Sequence, residues 1–190
     1  AAEFPDNVTV YRKPPGRFWD GKIEMVNAPL ANIHEPCLLW QVDADEMWTA
    51  EQAESVRRMF DERPDATAAF YLCHYFVGPD KVITSTNTYG NHTDYEWIRT
   101  WRFTPGCRWQ AHEPPRLMKP TEDGWRDLAA IRPIMHDETV ARGLVFQHFA
   151  YATETQLRFK ESYYGYADAV AQWRRLQEAE AGDEKLNSST

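Results

Sequence analysis

Apolar residues dominate Cys37-Leu38-Leu39-Trp40-Gln41-Val42 and give way at once to Asp43, Asp45 and Glu46. A short apolar run of this kind predicts a buried strand. The period then changes: Ala53, Val56, Met59 and Phe60 recur at helical spacing. A helix is predicted over residues 50–62, opened by the capping box of Thr49 and Gln52 and ended at Arg63-Pro64-Asp65. The acids thus occupy a strand-to-helix turn at the C-terminal end of a strand, where open α/β sheets bind their ligands.

Asn7 to Tyr11 predicts a short strand, and Lys22 to Ile33 a helix that Pro29 interrupts. Thr67 to Val77, with Phe70, Leu72 and Phe76 on alternate positions, pairs as a hairpin with Val82 to Thr86 across Gly78-Pro79-Asp80. Glu96 to Phe103 alternates as a strand, and Cys107 to Ala111 is a second one leading into His112-Glu113-Pro114-Pro115. Lys119 to Asp127 reads as irregular. Leu144 to Phe149 is apolar except for Gln147 and His148. Thr153 and Gln156 form a second capping box, opening a helical tail to about Ala181. The order predicts an α/β core over residues 1–150 and a C-terminal helical tail over 151–190.

Composition narrows the class. The chain is 43% hydrophobic and 14% aromatic, with 8 Trp among its 190 residues, a load that favours a folded core over disorder. A net charge of -8 argues against a nucleic-acid-binding surface. No apolar run approaches the roughly 20 residues of a membrane span. The N-terminus lacks a charged-then-apolar signal pattern, and Cys37, Cys73 and Cys107 are widely spaced, which fits reduced thiols. A cytoplasmic location is expected.

Asp43, Asp45 and Glu46 repel one another unless a cation is near. At a strand end, Asp43 and Asp45 can reach one hard divalent cation through oxygen. The same acids also suit an ordinary turn before a helix N-terminus.

Asp43-Ala44-Asp45-Glu46, closing a strand before a helix, resembles the DxD signature of GT-A glycosyltransferases, especially the family-2-like group. Trp101-Arg102-Phe103, Gly106, Trp109 and His112-Glu113 are similar to that group's strand, turn and His-Glu segment. His148, with Tyr151, Lys160 and Tyr163-Tyr164 beyond it, resembles the C-terminal His segment of some members. The likeness runs from Val8 to Trp173. It implies a GT-A-like (Rossmann-like) mixed sheet with flanking helices. It also implies inverting transfer of a sugar from a nucleotide-diphosphate donor to a carbohydrate or other hydroxyl acceptor. The resemblance makes Asp45 and His148 ligands of Mn²⁺ (or Mg²⁺), and gives Asp43 to the metal or the donor's ribose. Such a cation stabilises the departing diphosphate as a Lewis acid. Glycosyltransferases of this group open with an apolar strand and helix that floor the nucleotide site. Nothing before Val8 supplies them, so an excised piece, a completing partner chain and a reduced relative all stand as readings.

An inverting transfer needs a base for the acceptor hydroxyl, and Glu113, Asp94 and Glu96 are the candidates; Glu113 leads because the prolines after it stiffen the chain. Trp48, beside the acids, can stack on a sugar or base. Arg99, Arg102 and Arg108 can neutralise phosphate or face water on a strand. Each residue also has a structural reading: His148 as a hydrogen-bonded core histidine, His112 and Glu113 as loop props, Trp48 as packing. A non-catalytic nucleotide- or sugar-binding module of GT-A shape is the alternative function. A metal-dependent hydrolase ranks last, since no HxH or HExxH spacing occurs.

Overall fold

A computed structural model describes residues 7–83 and 97–179. The chain is an α/β protein with two mixed four-stranded sheets, a three-stranded antiparallel sheet and five α-helices among the described residues. Helix α1 (Gly21–Asn27) runs into a 3-10 turn at Pro29–Asn32, where proline stops the longer helix expected from the sequence. Strands β1 (Cys37–Trp40) and β2 (Glu46–Met47) flank the acidic turn, and α2 (Ala50–Glu62) follows. The Thr49 and Gln52 side chains cap α2 reciprocally, at 3.1 and 3.0 Å. Gln52 also donates to the carbonyl of Val145 at 2.8 Å, so the cap fastens the helix start to a distant segment.

The apolar stretch after α2 is two strands rather than one. Strand β3 (Ala68–Phe70) and strand β4 (Leu72–Phe76) belong to different sheets. Strand β5 (Val82–Ile83) pairs antiparallel with β4, and β6 (Ile98–Phe103) follows. Strands β7 (Arg108–His112), β8 (Pro115–Thr121) and β9 (Gly124–Asp127) form the antiparallel sheet. The segment read as irregular is therefore a hairpin, turning at Glu122-Asp123 with Gly124 at φ 119°. After β10 (Pro133–Ile134), α3 (His136–Ala141) and β11 (Val145–His148), the tail breaks into α4 (Glu154–Tyr164) and α5 (Ala169–Glu178). The break falls at Gly165, whose φ of 72° ends α4 in the left-handed conformation that glycine adopts without a Cβ clash. Residues 8–11 form no strand.

The sheets run β1-β6-β3-β10 and β2-β11-β4-β5. Strand β3 is buried on both faces. Ala69 joins a core of Val56, Met59, Phe60, Tyr71 and Phe146, whereas Ala68 and Phe70 join Trp101, Phe103, Trp109 and Leu117. Burial on both faces explains why this stretch lacks polar alternation. The tail helices dock on the α/β part through Trp173, whose indole donates to the Tyr151 carbonyl at 2.8 Å, and through Gln177, which donates to that of Val77 at 2.9 Å. No described helix is long and apolar enough to cross a membrane.

Candidate functional site

Strand register assembles the site. Strands β2 and β11 pair antiparallel with Glu46 opposite His148, which sets Asp45, one residue earlier, at the end of β11. The Phe149 amide then donates to the Asp45 carbonyl at 2.8 Å and pins the acidic turn there. Asp45 Oδ1 stands 3.6 Å from His148 Nε2, just beyond hydrogen-bond length and within ion-pair reach. The sequence places these side chains far apart, and the fold brings them together.

Both line a cleft of about 730 Å³, together with Asp43, Arg99, His112 and Glu113. Lys22 of α1 and Lys160 of α4 stand on its walls, and Tyr75, Tyr151, Tyr164 and Tyr166 supply aromatic surface. This volume is that of an ordinary small-molecule site. His148 is 6% exposed and packed edge-on against Trp97 and Tyr75, at ring separations of 4.7 and 4.9 Å. Its Nδ1 has no hydrogen-bond partner among the described residues. The imidazole of His148 holds the Asp45 carboxyl below its ordinary pKa, and Lys160 adds to this while burial opposes it. Burial, aided by Lys22, lowers the His112 pKa against the opposing pull of Asp43 and Glu113, which favours a neutral ring. Burial raises the Tyr151 pKa, while a hydrogen bond with Tyr75 opposes it.

The compensation of the acidic turn differs from the sequence expectation. Arg99 is 3% exposed, and carboxylates rather than water surround its guanidinium. Its Nε donates to both Glu46 carboxylate oxygens, at 2.9 and 3.0 Å, and its Nη2 bonds Glu46 and reaches Asp43 Oδ2 at 3.3 Å. Part of the cation that the acids require is thus a guanidinium from β6. Arg102 is likewise engaged, donating to the carbonyls of Phe60 and Ala66 near the end of α2, and Arg108 lies 3.9 Å over the Trp125 ring.

Trp48 is not in this cleft. Its ring stacks on Phe146 at 4.7 Å and meets Trp40 and Tyr71 edge-on, and it lines a separate depression with Val42 and Met47. Residues two apart on an extended segment share a face, and Trp48 shares that of buried Glu46, turned toward the core. Glu113 is exposed at the cleft rim, directly after β7. Asp94 and Glu96 lie outside the described residues. Sequence reasoning missed Lys22, Tyr75, Trp97 and Tyr166 as cleft residues, and only topology places them there.

A divalent cation fits these residues as a shared ligand rather than a caged one. Among the described residues, no three His, Cys, Asp or Glu side chains converge on one point. Asp45 offers a carboxylate and His148 an imidazole nitrogen, a pair suited to Mn²⁺, whose remaining positions substrate phosphates commonly fill. Compared with protein-family models, curated proteins and solved structures, the chain matches none.

Proposed function

We propose that this chain is a metal-dependent glycosyltransferase, or its catalytic part, of GT-A-like fold. It moves a sugar from a nucleotide-diphosphate donor to an acceptor hydroxyl with inversion. The observation that carries this reading is the meeting of Asp45 and His148 in a cleft that also holds Glu113 and two lysines. Mn²⁺ or Mg²⁺, when bound, supplies charge stabilisation for the leaving diphosphate. The chain's own residues do the rest. Asp45 and His148 hold the cation. Lys22 and Lys160 add positive charge along the cleft. Asp43, tethered by Arg99, faces the donor. Glu113 accepts the acceptor's hydroxyl proton as the new carbon–oxygen bond forms at the anomeric carbon and the bond to diphosphate breaks. Packing of Trp48 against Phe146 gives it a supporting role behind the acids.

The test is Mn²⁺-dependent hydrolysis of UDP- and GDP-sugars by the purified chain. Hydrolysis is expected, with at least a hundredfold loss in Asp45→Ala, in line with removal of a group that stabilises developing charge, worth roughly 10²–10³ in rate. Unchanged hydrolysis in Asp45→Ala contradicts the assignment.

A second reading, a nucleotide- or sugar-binding module without turnover, is favoured by one feature. Strand β1 stands at the edge of its sheet with no strand beyond it among the described residues. The family likeness implies a further strand and helix as the nucleotide floor, which a partner chain can supply. Calorimetry with UDP, GDP and Mn²⁺ separates the two readings: tight nucleotide binding by the isolated chain rules against the module.

A further inference from the structure

The last turns of α4 carry an aromatic surface that the core does not use. Phe159, Tyr163, Tyr164 and Tyr166 are 55%, 70%, 47% and 47% exposed. The rings touch in series. Phe159 stacks on Tyr163 at 5.2 Å with planes 12° apart, Tyr163 meets Tyr164 edge-on at 4.9 Å, and Tyr164 meets Tyr166 at 5.7 Å. The helical spacing of Phe159 and Tyr163 puts both on one face. The left-handed turn at Gly165 then brings Tyr166 back beside Tyr164. Tyr164 and Tyr166 also line the cleft, so the ring series is continuous with the site and leads outward from it.

We propose that these four rings bind a pyranose oligosaccharide, the acceptor of the reaction proposed above, and hold it beyond the cleft. The acceptor role rests on the transferase reading; the binding itself does not. Pyranose rings present apolar C–H faces bordered by hydroxyls. Such faces stack on flat aromatic surface, which phenylalanine and tyrosine supply at low entropic cost. Clustered exposed apolar surface on a folded domain marks an interaction site. A membrane surface fits less well. The chain carries a net charge of -8, Arg158 of α4 is paired with Glu154, and Lys160 lies 4.5 Å over the Tyr151 ring. Membrane-lying helices instead expose a basic polar face beside their apolar one. The face also carries no Leu, Ile or Val of the kind that fills helix–helix contacts between copies.

The test is direct binding, by calorimetry, of cellohexaose, chitohexaose and α-1,6-mannohexaose without nucleotide sugar or metal. The proteins are wild type, Phe159→Ala/Tyr163→Ala and Tyr163→Phe, with circular dichroism confirming the fold of each. At least one hexasaccharide is expected to bind the wild type. Affinity should fall about tenfold or more in the double variant, the loss expected from two stacking contacts, and stay within a few-fold in Tyr163→Phe. No binding of any hexasaccharide, or equal binding by the double variant, overturns the proposal. So does aromatic-dependent sedimentation with phosphatidylcholine vesicles, or a wild-type dimer that the double variant dissolves. Because the assay contains no donor, loss of the transferase reading in the hydrolysis test leaves this result interpretable.

Discussion

Arg99 sets the electrostatics of the acidic turn. Its guanidinium is buried against Glu46, whose side chain is 0% exposed, and it also reaches Asp43. Removing one member of a buried pair strands the other charge, which costs about 3–5 kcal/mol. Arg99→Leu is therefore expected to lose that much stability in urea titration, and Glu46→Gln less, because a neutral amide still accepts a guanidinium hydrogen bond. Equal stability of Arg99→Leu and wild type would show that the pair is not desolvated as described. Asp45 makes a pH prediction. Its folded pKa lies below its unfolded value of about 3.9, so its contribution is present above roughly pH 4 and is lost as pH falls through the lowered value. Stability measured from pH 5 downward should fall less steeply in Asp45→Asn than in wild type. Parallel curves would mean that His148 does not hold the carboxylate.

At the scale of elements, the two capping boxes are the parts most legible in the sequence. Thr49 with Gln52, and Thr153 with Gln156, begin α2 and α4 as their spacing requires. Local hydrogen bonding decides both, so no tertiary knowledge is needed. Thr49→Ala should cost about 1 kcal/mol by thermal or urea unfolding. Gln52→Ala should cost more, because its side chain also holds the Val145 carbonyl; the reverse order would separate that contact from stability. What the sequence hid were features set by distant partners. The split of residues 67–77 between two sheets depends on which strands meet β3 and β4. The β8–β9 hairpin carries Lys119, Pro120, Glu122 and Asp123, whose polarity masks its strands. The tail is helical as expected, and its break at Gly165 is the detail the spacing does not show.

At the scale of the molecule, the α/β class and the acids at a strand end were readable, as was the candidacy of His148. The Asp43 and Glu46 partnership with Arg99 was not, since a strand arginine reads the same whether it faces water or carboxylates. Trp48 beside the acids in sequence sits behind them in space, where its ring stacks on Phe146 of β11. The cleft unites residues from α1, the acidic turn, β4, β6, β7, β11 and α4. Asp45 and His148 are proposed to hold a divalent cation there with a nucleotide diphosphate. The most direct measurement is the electron paramagnetic resonance signal of free Mn²⁺, titrated with protein in the presence of UDP or GDP. Wild type is expected to quench the signal with one of these nucleotides, and Asp45→Ala and His148→Ala each to weaken the quenching at least tenfold. Quenching of equal strength in both variants, or none in wild type with either nucleotide, would contradict that assignment.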